Sequence, residues 1–271
     1  MVYYGGLFFL WRLFHPASCR ILRYHKVLED MSKDDVNISV SKFVFEKQMD
    51  YLIRNCEPVT LRALVERLMD GGIKSRKQSV AVTFDDGYKN NIVSGYPILK
   101  KFNIPATIFV TVDYIGTKKI FEWDGGVGRD GDEELIVMSW EDMRSADPQL
   151  VQFESHGLTH RVLTGLDRRE VEAELRKSKE ALESKGYPVK YFAYPKGYFN
   201  PAIKEAARVA GYEAAFACDA DFGYSSGEFD PFAIKRKAIH EKLTADPFGR
   251  FSKAIFALEI GGFFDSFRKK A

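Results

Sequence analysis

Ser79 to Gly87 reads SVAVTFDDG, and the fold turns on this stretch. Ser79 to Phe84 is short, β-branched and apolar, the pattern of a strand buried on both faces in a parallel sheet. Directly after it stand two carboxylates, Asp85 and Asp86, and then Gly87, which lets the chain turn where a side chain would block approach. Adjacent carboxylates at a buried strand end repel one another and are costly to desolvate; a bound cation or a shared proton relieves both. An Asp-Gly turn in which one Asp caps the next helix is the plainer alternative. The apolar strand in front favours a site, because parallel sheets gather their chemistry at the carboxyl ends of the strands.

Outward from this point, strand-like and helix-like stretches alternate. Cys19 to Tyr24 is predicted as a strand. Ser41 caps an amphipathic helix running through Arg54 with Phe45, Met49 and Leu52 on one face, and Thr60 caps another that stops at Gly71-Gly72. Beyond the central strand come a helix from Asn90 to Lys101, strands from Ala106 to Val110 and Val151 to Glu154, a charged helix from Asp167 to Lys185, and a strand from Tyr191 to Tyr194. A helix from Pro201 to Ala210 starts with proline in its first turn. Strands from Glu213 to Ala217 and Ala233 to Lys237 lead to a closing helix from Pro247 to Ile260. Repeated β–α units of this kind predict one α/β domain with a parallel sheet, open or closed into a barrel. The strand ends then carry Tyr24-His25, Asp85-Asp86-Gly87, Ser155-His156, Pro195-Lys196-Gly197 and Arg236.

With 45% hydrophobic and 29% charged residues in 271, the chain can bury a core without staples. Its 40 basic and 38 acidic residues leave +2, so no polyanionic partner is demanded and nucleic-acid binding is a poor reading. Cys19, Cys56 and Cys218 are widely spaced and form no CxxC pair. That excludes a cysteine-rich zinc site and points to reduced thiols and a cytoplasmic location. The catalytic domain is expected over 19–260, between an N-terminal segment, 1–18, and a basic and aromatic tail, 261–271. Leu7 to Phe14 (LFFLWRLF) is too short to span a bilayer and is interrupted by Arg12. It reads either as a packed cover for the barrel floor or as an interfacial anchor. The tail, with FFDSFRKKA, shares that aromatic and basic character, so one reading is a peripheral membrane contact at the inner face.

His156-Gly157-Leu158-Thr159-His160 sets two imidazoles four residues apart. They converge on one metal if the segment turns helically; otherwise they are two satisfied histidines in a capped turn. An Asp from another strand end would complete a two-His, one-carboxylate site with positions open for water and substrate.

TFDDGY (Thr83 to Tyr88), SHGLTH (Ser155 to His160) and YPKG (Tyr194 to Gly197), in that order, resemble the polysaccharide deacetylases, also called the NodB-homology or carbohydrate esterase family 4 enzymes. Met138 to Asp142 (MSWED) and Phe43 to Leu52 add matching context, so the resemblance covers Ile21 to Leu258. It implies a distorted (β/α) barrel with about seven parallel strands rather than eight. It also implies metal-dependent hydrolysis of the N-acetyl group of an amino sugar. Carried across residue by residue, it implies Asp85 as catalytic base. Asp86, His156 and His160 become ligands of a divalent metal, with zinc ahead of cobalt, nickel or manganese. The Lys196 backbone amide, following Pro195, becomes an oxyanion donor. Most family members carry an arginine two or three residues before that proline, where this chain has Tyr191-Phe192-Ala193. Arg236 is the replacement implied by a subgroup resembling a circular permutation. That subgroup also opens with a strand ending in Tyr-His, as Arg23-Tyr24-His25-Lys26-Val27 does here, and implies His25 as the acid that protonates the leaving amine. A core histidine bonded to a carbonyl is the alternative for His25, and His240 is the alternative acid; His15 is not expected to do chemistry.

Tyr88, Trp123, Tyr198 and Phe199 fall near strand ends and, with Pro195, are expected at the sugar site, the rings stacking on pyranose faces; core packing is the equal alternative for them. The expected partner is an amino-sugar glycan or lipid-linked saccharide, with acetyl or formyl as the group removed. A non-catalytic glycan-binding or assembly module has no reason to keep so expensive a charged cluster, and a two-metal phosphoesterase needs more His and Asp at its strand ends.

Overall fold

The computed structural model describes residues 19–34, 36–71, 77–125, 132–218 and 229–265. The 1–18 segment, with its membrane reading and His15, lies outside them, as do residues 266–271 of the tail. In chain order the strands and α-helices are β1 (Cys19–Tyr24), β2 (Lys26–Leu28), β3 (Ser39–Ser41), α1 (Lys42–Asn55), β4 (Glu57–Pro58), α2 (Leu61–Met69), β5 (Ser79–Phe84), α3 (Tyr96–Phe102), β6 (Ala106–Val110), α4 (Trp140–Ser145), β7 (Val151–Ser155), α5 (Arg168–Glu183), β8 (Tyr191–Ala193), α6 (Pro201–Val209), β9 (Ala214–Cys218), β10 (Ile234–Ala238) and α7 (Lys253–Gly261). β5 to β10 pair side by side in sequence order, and β1 joins β10 to β5, closing a barrel of seven parallel strands in a single domain.

Alternation along the strands sorts the core into two regions. Val80, Val82 and Phe84 of β5 face outward into the large cluster shared with the helices, while Ala81 joins Ile21, Phe109, Ala193, Phe216 and Ile234 in the lumen. Leu61, Leu64, Val65 and Leu68 of α2 pack into that same inner cluster. Arg67 of α2 reaches the first residue of β5, bonding the Ser79 hydroxyl at 2.7 Å, so α2 closes the barrel at the amino ends. The polar side chains that follow the strands gather at the opposite rim. Thr83 and Arg236, both fully buried, stand above the apolar plug.

The closing helix begins later than its sequence suggests. Asp246 accepts hydrogen bonds from the amides of Phe248 and Arg250 and turns the chain back on itself, and Ser252 is the residue that caps α7. The helix expected from Asn90 starts as one π-helical turn, Asn91–Gly95, because the Asn90 and Asn91 side chains bond Val27 N and His25 O at the barrel rim. Of the tail, Asp265 is buried against Lys237, which also pairs with Glu259 at 2.7 Å, so the described part is packed on the barrel. None of the three cysteines forms a disulfide. No helix among the described residues is long and apolar enough to cross a membrane.

β7 and β8 share a single register pair, Ser155 with Phe192. Below it the Glu154 carboxylate, 3% exposed, takes the place of the missing ladder by accepting the Lys190 and Tyr191 amides, each at 2.8 Å. Burial outweighs those bonds and raises its pKa from 4.5 to about 8. The folded chain therefore holds a proton that the unfolded chain releases, and stability declines as pH rises from 4.5 towards 8, levelling off above. Glu154→Gln keeps an acceptor there and removes the titration. The parent is expected to lose stability relative to this variant at up to about 1.4 kcal/mol per pH unit across that window, as read by urea unfolding.

Candidate functional site

The polar rim is built outward from β5. The Asp85 amide continues the ladder by donating to Tyr24 O at 2.9 Å. Then the chain breaks away: Asp86 has φ +69 and Gly87 φ +82. A Cβ on Gly87 would stand 2.6 Å from Val110 Cγ1, so only glycine allows the carboxylates to be presented this close to β6. A non-glycine residue at positive φ such as Asp86 is strained, and strain of this kind concentrates at functional sites.

Arg236, fully buried in the middle of β10, grips Asp85 with both forks, Nη1 to Oδ1 at 2.6 Å and Nη2 to Oδ2 at 2.7 Å. Its guanidinium lies over the Phe109 ring, 5.0 Å from the centroid. Burial alone would push the Asp85 carboxyl up, but the guanidinium and the nearby imidazoles outweigh it and hold the pKa at about 2. Asp85 is thus an anion at any working pH.

Asp86 turns the other way. Its Oδ1 lies 3.3 Å from His156 Nε2 and 3.2 Å from His160 Nε2, and one ligand atom from each of the three falls within 4.8 Å of the others. His156 Nδ1 sits 2.8 Å from Ala193 O. A carbonyl only accepts, so Nδ1 carries the proton and Nε2 presents a bare lone pair to Asp86. A carboxylate oxygen and an unprotonated nitrogen repel at this distance unless a cation or a proton lies between them. Two imidazole nitrogens and one carboxylate oxygen converging in a buried pocket are the donor set of an open zinc-type site.

The segment between the histidines is not helical. His156 N donates to Val110 O at 3.0 Å, and the chain then runs through a turn with His160 at φ +64. Glu174 of α5, buried, pins that turn. It accepts the Leu158 and Thr159 amides at 2.9 and 3.0 Å and also the Thr159 hydroxyl. This replaces the expectation of a helical turn: a remote carboxylate brings the imidazoles together.

The pocket in front of these groups encloses about 220 Å³, and His25, Trp123 and Lys196 line it beside Asp85, Asp86, His156 and His160. Arg23, Val36, Ile38 and Cys218, none of them expected at the site, complete its wall. Burial, and after it the Arg23 charge, lower the His25 pKa to about 4 against the pull of Asp86 and Asp85. His240 is not among the lining residues. Lys196 has φ +54, and the next residue, Gly197, packs so tightly on Cys218 that an added Cβ would sit 2.5 Å from its backbone nitrogen.

Several residues expected at the sugar lie elsewhere. Tyr88 is fully buried with its hydroxyl bonded to Asp124, and Pro195 is buried too, so neither offers a face to a ligand. Tyr198 is 60% exposed but does not line the pocket. Phe199 stacks on Tyr194 at 5.0 Å against the core. Trp123 alone of the set lines the pocket, its ring 4.8 Å from that of His160. A larger cleft of about 400 Å³, lined by Arg62, Glu154 and Lys190 near the amino ends of the strands, holds no comparable ligand set among the described residues.

The sequence profile of the polysaccharide deacetylases matches residues 72–215, more than half of the 271. The chain belongs to the polysaccharide deacetylase family. A poly-β-1,6-N-acetyl-D-glucosamine N-deacetylase of Staphylococcus aureus is 30% identical over 224 residues, 72% of this chain and 71% of that one. Bacillus subtilis YxkH, named for the same family, is 25% identical over 241 residues, 89% and 78% of the two chains. Among solved structures, a Bacillus anthracis protein named for the family superimposes with a TM-score of 0.67 at 25% identity, over 89% of this chain and 68% of that one. Within this chain, Asp85, Asp86, His156, His160 and Lys196 fall inside the matched stretch; His25 and Arg236 fall outside it, and the closed barrel brings them to the same rim.

Proposed function

We propose that this chain removes the N-acetyl group from an amino sugar by metal-assisted hydrolysis. The observation that carries the reading is the approach of His156 Nε2 and His160 Nε2 to one oxygen of Asp86, with an ionised Asp85 next in the chain. Asp86, His156 and His160 would hold the ion, and the donor set favours zinc over cobalt, nickel or manganese. Bound there, the ion supplies Lewis acidity to the acyl oxygen and to an attacking water.

The rest is the work of side chains. Asp85 accepts the proton of the water; each of its oxygens keeps a lone pair beyond the one Arg236 occupies, and Arg236 fixes the plane in which those lone pairs point. The Lys196 amide, at the pocket wall, is assigned to the oxyanion. His25 is uncharged at neutral pH, its pKa lowered to about 4. The proton it gives the departing amine therefore reaches it during the reaction, and the one Asp85 has taken from water is the source at hand. Trp123 supplies an apolar wall. The substrate is proposed to be an N-acetylglucosamine glycan, in line with the name of the Staphylococcus aureus relative, or a lipid-linked saccharide of the same sugar.

Acetate release from β-1,6-linked N-acetylglucosamine oligomers tests this. Zinc-loaded protein is expected to release acetate, and chelator to abolish it. Zinc-loaded protein that binds these oligomers and releases no acetate or formate would mark a non-catalytic glycan-binding module.

A further inference from the structure

The two histidines are held in different ways. His156 is oriented by the bond from its Nδ1–H to Ala193 O, the outer partner a metal-binding imidazole normally has. His160 has no such bond among the described residues. Its ring is held by tilted aromatic contacts instead: Trp123 lies 4.8 Å away at 54°, and Phe121 lies 5.4 Å away at 59° and stacks on Trp123 at 4.5 Å, nearly parallel.

What holds Trp123 is a buried polar chain. Its indole N–H donates to the Tyr88 hydroxyl oxygen at 3.0 Å; that hydroxyl donates to Asp124 Oδ2; and Lys26 Nζ donates to Asp124 Oδ1 at 2.5 Å. Lys26, Asp124 and Tyr88 are all fully buried. A buried ion pair is a weak device for stability, since apolar residues of equal volume often do as well or better. An apolar pair cannot, however, supply the acceptor that fixes the Tyr88 hydroxyl and, through it, the orientation of the indole. Location supports this use: Lys26 follows His25 directly, and Asp124 follows Trp123.

We propose that Lys26, Asp124 and Tyr88 are positioning residues that lock Trp123 against His160, doing for this imidazole what the Ala193 carbonyl does for His156. The inference rests on the reading that Asp86, His156 and His160 hold a metal. Its consequence is that the triad sets affinity for the ion while none of its members touches it.

The test is zinc affinity of chelator-stripped protein, measured by competition with a chromophoric chelator, beside urea unfolding of the metal-free forms. Asp124→Asn and Tyr88→Phe are each expected to weaken zinc binding by about 10- to 100-fold, the range for outer partners of metal ligands. Tyr88→Phe deletes one oxygen and keeps the ring; it should lower the unfolding midpoint, since Asp124 and the indole lose a partner, yet leave a folded chain, and it decides the matter if Asp124→Asn does not fold. The paired change Lys26→Met with Asp124→Leu leaves no buried charge unpaired and should fold, losing only what the Tyr88 hydroxyl's acceptor was worth, and still lose affinity. Zinc binding equal to the parent's in all three variants overturns the inference and leaves the triad purely structural. A parent chain that binds no zinc ends the metal reading itself, and the inference with it.

Discussion

Asp85→Asn is expected to bind zinc as the parent does and to lose turnover by about 10²- to 10⁴-fold, the usual worth of a positioned general base. The reason is geometric. Asp86 points to the histidines and Asp85 points to Arg236, so the adjacent carboxylates serve different partners, and neutralising one leaves the other's ligands in place. An asparagine keeps one acceptor for Arg236 but turns an N–H₂ towards the second fork, so some stability should go as well. Zinc stoichiometry and single-turnover acetate release at saturating oligomer separate the two effects. Asp85→Asn with near-parent turnover would remove Asp85 from the role of base and move attention to His25.

Arg236→Met should be the most damaging single change to stability. The guanidinium is fully buried, and its loss leaves Asp85 charged, buried and unpaired, a situation that costs about 3–5 kcal/mol. The pH dependence carries the signature. In the parent, Asp85 has its folded pKa lowered to about 2 from 3.8, so its contribution is fully present above pH 3.8 and fades as pH falls towards 2. Without Arg236 the largest charge opposing burial is gone, and the folded pKa is expected to rise past 3.8 against the weaker pull of the imidazoles. The sign then reverses, and the variant loses stability as pH rises. Urea unfolding of metal-stripped protein at pH 4 and pH 7 reads this directly. A variant whose deficit is the same at both values would show that Arg236 acts through packing on Phe109 rather than through charge.

The SVAVTF strand announced a parallel sheet because a run buried on both faces leaves few other architectures, and the alternation on either side supplied its other strands; closure into a barrel was implied only by the family resemblance. The identities of the residues at the rim were equally legible: Asp85, Asp86, His156, His25 and Arg236 stand at or just beyond predicted strand ends, and the HxxxH spacing adds His160. What was hidden depended on partners far away in the chain. The imidazoles were expected to meet through a helical turn, yet Glu174, fourteen residues beyond His160, holds an extended one. Tyr88 sits inside the TFDDGY motif and invites a reading as a sugar platform. It is buried because Asp124, thirty-six residues on, takes its hydroxyl. Nothing local to Lys26 distinguishes it from a surface lysine, and only the closed structure pairs it with Asp124. Proline at 247 suggested a helix start, but the Asp246 side chain satisfies the following amides in a turn first. Periodicity registers a chain's own neighbours; a buried carboxylate recruited from another element leaves no trace in it.

The measurement closest to the central claim is zinc titration of chelator-stripped protein, parent beside Asp86→Ala and His160→Ala. A single zinc per parent chain is predicted, with affinity falling by more than about 100-fold in either variant, beyond what an outer partner is worth, and with each variant still folded. A parent that takes up no zinc, cobalt, nickel or manganese, or variants that bind as tightly as the parent, would contradict the account.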